Sequence, residues 1–372
     1  MDKIKSIHYL RGIAALIVVF FHFRGLLNGV YAQKDLGGIL FGSGAFGVDL
    51  FFMISGFIIS MSTQRMYSPV SFFIRRFFRI YPAFIFVFVV GMFTAYSNNP
   101  GSEIMKSLFF IHQDYSQPSP GFGYNMLGPA WTLTYEFYFY MLFMVAISIS
   151  HKHRVALTSF MILTPIVLLQ LYYNGGLSLS GLSAATPVIT HGLYSTIRFI
   201  SSPILVEFII GMVLYEIYAV SKRLEIKYHE SIFFVCIAIF LVFYFAQKNN
   251  EFGMHGFGIW ALFLIIGCLS FDVSHAIKDN KALNFLGDIS YSLYITHYLV
   301  MQLLNKYSPW FWVNTYGISK FILATTICIC VAMLVYKFIE LPFIRYGKSV
   351  DSIFRPQKAE KLQPHNGAEL KN

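Results

Sequence analysis

The stretch RGIAALIVVFFH, Arg11 to His22, places a guanidinium and an imidazole at the two ends of an apolar run. The run extends over about 7–27, and roughly 20 apolar residues suffice for a helix to cross the hydrocarbon core of a bilayer. Eleven residues make three helical turns plus about 20°, so the two side chains share one helix face and lie roughly 16 Å apart along the axis. The stretch predicts a membrane helix with Arg11 at the cytoplasmic interface and His22 in the outer half of the membrane.

Composition extends this interpretation to the whole chain. Of its 372 residues, 56% are hydrophobic, 18% aromatic and only 12% charged, whereas about 25% of residues in a soluble domain are charged. We predict an all-α polytopic membrane protein with about ten transmembrane helices, and a short interfacial helix over Glu103–His112. The predicted spans are about 7–27, 44–63, 80–97, 130–149, 154–172, 201–220, 231–247, 254–271, 288–306 and 316–339.

The basic residues predict the orientation of these spans. Cytoplasmic loops carry an excess of Lys and Arg, and most of the 28 such residues fall on one side if both termini are cytoplasmic. The same asymmetry explains the net charge of +10 without a nucleic-acid partner. We predict a transmembrane domain over residues 1–349 and a disordered polar cytoplasmic tail over 350–372. The four cysteines lie in apolar runs, so we expect neither disulfides nor a metal site.

Three carboxylic acids lie inside predicted spans at a depth similar to that of His22. Counted from the helix ends, Asp49, Glu136 and Glu207 share its level to within about one helical turn of 5.4 Å. Intramembrane ionisable groups are costly, face the protein interior and usually pair. A carboxylate beside His22 would orient the ring and stabilise its charged form, which suits a general base. The alternatives are a structural His22, carboxylates that only pair or cap helices, and Arg11 as an interfacial anchor.

A second informative stretch, SFFIRRFFRIYP (Ser71 to Pro82), carries three arginines on the predicted cytoplasmic side. Arg75 and Arg79 are four residues apart and share a helix face, whereas Arg76 is about 100° away. Guanidinium groups beside aromatic rings at a membrane surface suit bidentate phosphate binding. They also suit simple anchoring to anionic lipid headgroups, so both interpretations stay open at this point.

Five blocks of the sequence together resemble the acyltransferase-3 family of integral membrane acyltransferases. The resemblance covers roughly residues 5–345, and it rests on the five blocks in the family's order. The blocks are the Arg-x10-His pattern of Arg11 and His22, GAFGVDLFFMISGFIIS (Gly44 to Ser60), the arginine block, the Trp-x-Leu-x-x-Glu pattern in PAWTLTYEFYFY (Pro129 to Tyr140), and LGDISYSLYITHYLV (Leu286 to Val300).

The resemblance implies a reaction and its partners. Similar proteins move an acyl group, commonly acetyl, from cytoplasmic acyl-CoA to a hydroxyl on the far side of a bacterial inner membrane. The acceptor is often a surface polysaccharide such as O-antigen, or a lipid-linked oligosaccharide. Many members carry an additional extracytoplasmic SGNH domain after the membrane part, and we expect this chain to lack it. Either the membrane domain then completes the transfer alone, or a separate partner does. No metal is implied, and neither the acceptor sugar nor the oligomeric state follows from the resemblance.

The resemblance also assigns site residues. His22 becomes the general base or the acyl-accepting residue, with Glu136, Arg11 and Asp49 as further catalytic candidates. The arginines of the second block become candidates for binding the CoA phosphates: Arg75, Arg76 and Arg79. His297 matches the last block but could equally be a packing residue.

Two other classes of protein stay open. A proton-coupled transporter or exporter could use Glu136 and Glu207 as a relay, because intramembrane carboxylates serve in such relays. The sequence lacks the paired interrupted helices that many transporters show, which argues against this alternative. A purely structural membrane subunit is the third possibility, and the charges at one depth argue against it.

Overall fold

Fifteen α-helices make up the regular structure of the computed structural model, which describes residues 4–65, 68–189, 192–222 and 228–354. Within those ranges the only β-type pairing is an isolated bridge between Ser180 and Gly253. The prediction of an all-helical chain is confirmed. The helices are α1 Lys5–Phe23, α2 Leu36–Phe41, α3 Phe46–Ser62, α4 Pro69–Phe93, α5 Gly101–Leu108, α6 Trp131–Ile149, α7 Arg154–Asn174, α8 Leu193–Ile200, α9 Val206–Ser221, α10 His229–Ala246, α11 Phe257–Ser274, α12 Lys281–Tyr307, α13 Trp310–Val313, α14 Gly317–Val335 and α15 Leu341–Ile353.

Nine helical segments of the described chain are long and apolar enough to cross a membrane. They are α1, α3, α4, α6, α7, α9, α10, α11 and the continuous segment that joins α14 to α15. The remaining predicted span, 288–306, corresponds to α12, whose 27 residues also suffice in length. Helix α12 is less apolar than the nine because its buried face carries polar side chains, His297 among them.

The structure shifts the bounds of the predicted interfacial helix and of the predicted tail. The predicted interfacial segment overlaps α5, a helix of eight residues that begins at Gly101 and ends at Leu108. Helix α15 continues to Ile353, so the first residues of the predicted tail are helical. The remainder of that tail, residues 355–372, lies outside the described residues.

Helices α1 and α12 pack closely and in parallel because glycines meet at their contact. A Cβ atom on Gly12 would lie 2.6 Å from the backbone nitrogen of Gly287, closer than real Cβ contacts allow. His22 and His297 each follow their glycine by ten residues, roughly 15 Å of helical rise, and they meet again. Two contacts at equal spacing require the two helices to run in the same direction.

Helices α3 and α9 make a similar close contact. A Cβ atom on Gly211 would lie 1.9 Å from the Met53 carbonyl oxygen, and one on Gly56 would lie 2.1 Å from the Phe208 carbonyl oxygen. Only hydrogen atoms fit at this crossing. The crossing brings Asp49 of α3 beside Glu207 of α9, so two buried carboxyl groups meet in the interior of the bundle.

Candidate active site

Two cavities lie one after the other along the axis of the bundle. Along α12, Ser290 and Tyr291 line the first cavity, Tyr294 lines both, and Tyr298 lines the second. On α3, Ser55 lines the first cavity and Val48 lines both cavities. On α6, Glu136 lines the first cavity and Trp131 lines the second. Arg11 lines the first cavity and His22 lines the second. We call the first the inner cavity and the second the outer cavity.

The inner cavity is narrow, with a volume of about 180 Å³. Three arginines and one carboxylate converge on it, from α1, α4 and α6: Arg11, Arg76, Arg79 and Glu136. The remaining lining is largely aromatic and aliphatic, as a site for a thin, mostly apolar chain with a charged end requires.

The polar groups of the inner cavity are held by neighbouring elements. Arg11 Nη2 donates to the Gly287 carbonyl oxygen at 2.6 Å, and Arg76 Nη2 donates to Ser62 Oγ at 2.6 Å. Glu136 Oε1 accepts from Ser55 Oγ at 2.9 Å and from the hydroxyl of Tyr140. These bonds fix the direction of Arg11, Arg76 and Glu136, so this part of the cavity presents a preformed arrangement of charge.

The structure separates the three predicted phosphate-binding arginines. Arg76 and Arg79 line the inner cavity together, whereas Arg75 does not. Arg75 Nη2 lies 2.5 Å from Asp351 Oδ2, a carboxylate of α15 with 1% exposure. The spacing in sequence predicts Arg75 and Arg79 on one helix face, but Arg76 and Arg79 are the two that face the inner cavity.

The outer cavity is wider, about 890 Å³, and its lining is polar and aromatic. Its aromatic residues include Trp131 at 5% exposure. Amide side chains from three loops and α12 complete it: Asn99, Gln113, Asn125, Asn250 and Gln302. Flat apolar rings combined with amides suit a ligand that has both apolar faces and many hydroxyl groups.

His22 lines the outer cavity, and its nitrogen atoms have distinct environments. Nδ1 lies 2.9 Å from the Val18 carbonyl oxygen, which can only accept, so Nδ1 carries the proton of the neutral ring. His297 Nδ1 lies 3.2 Å from the Leu293 carbonyl oxygen and is protonated for the same reason. His297 Nε2 is therefore a lone-pair acceptor, and it lies 3.3 Å from His22 Nδ1. These assignments leave His22 Nε2 as the unprotonated nitrogen, which a general base requires.

The predicted carboxylates do not meet at His22. Glu136 lines the inner cavity with Arg11. Asp49 and Glu207 are both fully buried, and Asp49 Oδ1 accepts from the Gly253 backbone N–H at 2.7 Å. Glu136 bonds to Ser55 and Tyr140, whereas Glu207 lies beside Asp49.

Two buried groups of the site were not selected from the sequence. His297 has no exposed surface and contacts His22, although the sequence left its role open. Glu340 is equally buried and accepts from Ser292 Oγ at 2.7 Å. Glu340 belongs to a π-helical turn, Tyr336–Glu340, a local irregularity that often occurs at functional sites. Arg79 and Arg11 are its electrostatic neighbours, so Glu340 lies beside the inner cavity.

A comparison with known proteins supports this picture. The family model described as an acyltransferase domain matches residues 4–337. The exopolysaccharide production protein ExoZ of Rhizobium meliloti (strain 1021) is 25% identical over 284 residues, 74% of this chain and 83% of that relative. The "Putative O-acetyltransferase" of Staphylococcus aureus (strain COL) is 24% identical over 391 residues, 93% of this chain but 58% of that relative. The chain therefore spans little more than half the length of the second relative.

A third relative and the solved structures add less. The acyltransferase MdmB of Streptomyces mycarofaciens is 28% identical over 146 residues, 36% of this chain and 37% of that relative. No solved structure matches. Since the family model covers nearly the whole chain, including the helices that line both cavities, the chain belongs to the acyltransferase-3 family.

Proposed function

We propose that the chain transfers an acyl group, most simply acetyl, from acyl-CoA at the inner cavity to a hydroxyl of a cell-surface glycan at the outer cavity. The observation that carries the proposal is that Val48 and Tyr294 line both cavities, so the two cavities adjoin there. A cationic narrow cavity and a wide polar cavity with a histidine adjoin inside one bundle. An acyl group held at their boundary is accessible to both.

The inner cavity suits the donor. Arg76 and Arg79 would bind the phosphates of CoA, because guanidinium groups bind phosphate bidentately. The thin pantetheine arm would extend into the bundle past Arg11. The rise from Arg11 to His22, roughly 16 Å along α1, is the depth that the arm would cover. We place this end at the cytoplasmic side of a bacterial inner membrane, because the basic residues favour that orientation.

The outer cavity suits the acceptor. Its amides and aromatic rings match the hydroxyl-bearing edges and the apolar faces of a sugar. The names of the relatives, an exopolysaccharide production protein and an O-acetyltransferase, agree with a polysaccharide acceptor. O-antigen, another surface polysaccharide or a lipid-linked oligosaccharide is the acceptor that we expect.

The chemistry follows from the protonation of His22. In the direct route, Nε2 takes the proton of the acceptor hydroxyl while the hydroxyl oxygen attacks the thioester carbonyl carbon. The tetrahedral intermediate then breaks its C–S bond, and the protonated ring returns the proton to the departing thiolate. The products are an O-acyl ester and free CoA. In the alternative route, Nε2 attacks the thioester carbonyl carbon first, the C–S bond breaks and CoA leaves as its thiolate. The acceptor hydroxyl oxygen then attacks the acyl group on Nε2, its proton passes to the thiolate, and the neutral ring is regenerated.

The decisive experiment supplies acetyl-labelled CoA to membranes that contain matched amounts of wild type, His22→Ala or His153→Ala. His153 is an exposed histidine and serves as the control. We expect label in the glycan with wild type and His153→Ala, and none with His22→Ala. Equal incorporation with His22→Ala would contradict the assigned base. Glycan acetylation in cells without incorporation from labelled CoA would contradict the donor.

A further inference from the structure

The carboxyl groups of Asp49 and Glu207 form a buried pair that the proposed reaction does not use. Both residues have no exposed surface, and their carboxyl groups lie within hydrogen-bonding reach of each other. Neither forms a salt bridge with a Lys or Arg side chain in the described part of the chain. Two uncompensated carboxylates side by side in a bundle interior would be very costly.

Three oxygen atoms of the pair lack a donor among the described residues. They are Asp49 Oδ2 and both carboxyl oxygens of Glu207. Two ionised carboxylates cannot bond to each other, because each only accepts. A single proton between them turns one group into a donor and supplies the missing bond.

The surroundings decide which of the two groups holds the proton. Asp49 Oδ1 already accepts the Gly253 N–H at 2.7 Å, and this bond stabilises the ionised form of Asp49. Glu207 has no donor within the described residues, and its Oε1 is so close to α11 that a Cβ atom on Gly258 would lie 2.7 Å away. Its ionised form would be unsatisfied, whereas its protonated form can donate to Asp49 Oδ2.

We propose that Glu207 is protonated and donates to Asp49, and that this pair positions the loop that forms one wall of the outer cavity. The anchored residue, Gly253, has φ +92°, a conformation that a glycine adopts without strain. Its neighbour Phe252 lines the outer cavity, accepts from the Gly181 N–H at 2.6 Å and meets Trp131 edge to face at 5.6 Å. Asp49 and Glu207 are thus positioning residues, and their link to the acceptor rests on the proposed function.

The test compares Glu207→Gln, Glu207→Leu and Glu216→Gln. Glutamine has nearly the shape of a protonated glutamate, and its amide can donate to Asp49, whereas leucine cannot. Glu216 lies on the same helix with a side chain 46% exposed, so it controls for the loss of any carboxyl group on α9. Thermal unfolding of the full-length protein in detergent and the infrared absorption of protonated carboxyl groups are measured for each.

We expect Glu207→Gln to unfold within about 2 °C of wild type and Glu207→Leu to lose at least about 5 °C or fail to accumulate. The infrared band of a protonated carboxyl group should be present in wild type and Glu216→Gln and reduced in Glu207→Gln. The proposal would be overturned by an infrared band that is unchanged in Glu207→Gln. It would equally be overturned if Glu207→Gln lost as much thermal stability as Glu207→Leu. Neither readout needs acyl transfer, so a failure of the proposed function would be recognised separately.

Activity adds one more distinction. In the acetyl transfer assay, Glu207→Gln should retain activity within about twofold, because positioning needs a donor and not a titrating group. A proton relay through Glu207 requires a group that ionises, and Glu207→Gln would abolish it. Complete loss of activity in a well-folded Gln variant would therefore favour the relay and contradict the positioning role.

Discussion

His297 Nε2 lies 3.3 Å from His22 Nδ1, so a second histidine occupies the position beside the predicted base where many hydrolases carry an aspartate. His297 is completely buried, and its own Nδ1 contacts the Leu293 carbonyl oxygen. The neutral ring thus offers its lone pair to His22 Nδ1–H. This contact orients the His22 ring and stabilises the positive charge that the ring acquires when Nε2 takes a proton.

We expect His297→Phe to lower kcat by about 10- to 100-fold, because His22 loses an acceptor that is most important in its charged form. The KM for acetyl-CoA should stay within about twofold, since the proposed donor contacts lie in the inner cavity. His297→Gln, which keeps an acceptor oxygen, should recover part of the rate. An unchanged kcat in the Phe variant would return His297 to a packing role.

The arginines provide a matched test of the donor site. Arg79→Ala should raise the KM for acetyl-CoA by about tenfold or more, because the proposed phosphate contact would be lost in both ground and transition states. Arg75→Ala removes the same charge four residues earlier, but Arg75 contacts Asp351 outside the cavity. Steady-state kinetics in proteoliposomes should show its donor KM nearly unchanged. Equal effects of the two substitutions would favour general binding to lipid headgroups.

The acceptor site can be tested on α12. Gln302 lines the outer cavity, so Gln302→Leu should raise the KM for the acceptor severalfold by removing an amide that we propose bonds sugar hydroxyls. Asn305→Leu is the control, because Asn305 is exposed on the same helix and does not line either cavity. Titration with deacetylated glycan from the host cells measures both. If both variants bind the acceptor as wild type does, the outer cavity is not the acceptor site.

The crossing of α3 and α9 should tolerate no side chain at Gly211. A Cβ atom there would lie 1.9 Å from the Met53 carbonyl oxygen, so Gly211→Ala must force the helices apart. We expect a loss of about 2 kcal/mol or more in stability, seen as reduced accumulation and earlier thermal unfolding. Gly101→Ala introduces the same methyl group where nothing lies within 4 Å, and it should leave unfolding unchanged.

Acid should destabilise the protein through His112, which lies in the loop between α5 and α6. Burial lowers the pKa of His112 from 6.5 to about 3. The unfolded chain binds this proton below about pH 6.5 and the folded chain does not, so stability falls as the pH drops towards 3. From pH 7 to pH 5 the loss should be about 2 kcal/mol. His112→Phe should unfold with a weaker dependence on pH in detergent, and an identical dependence in both proteins would contradict this cause.

The sequence by itself determined the membrane architecture. Apolar runs of about 20 residues predicted helices that overlap those of the structure, because a backbone in lipid must satisfy its own hydrogen bonds. The bounds were wrong for α4, which begins at Pro69 and not near residue 80, because its first turns are amphipathic and carry the arginines. The interval of eleven residues likewise predicted Arg11 and His22 on one face of α1, and each lines a cavity. Such features depend on one helix alone, so local periodicity suffices.

Only the tertiary structure decided which side chains from different helices meet. Counting residues from the helix ends placed Asp49, Glu136 and Glu207 at a membrane depth near that of His22. The depth of a residue does not determine how its helix is rotated about its axis, and so does not determine which helix its side chain faces. Close glycine contacts between α1 and α12 bring His297 to His22. Those between α3 and α9 bring Glu207 to Asp49. Because backbone contact at such crossings fixes rotation as well as distance, the partners of the charged groups follow from packing and could not be derived from their spacing in the chain.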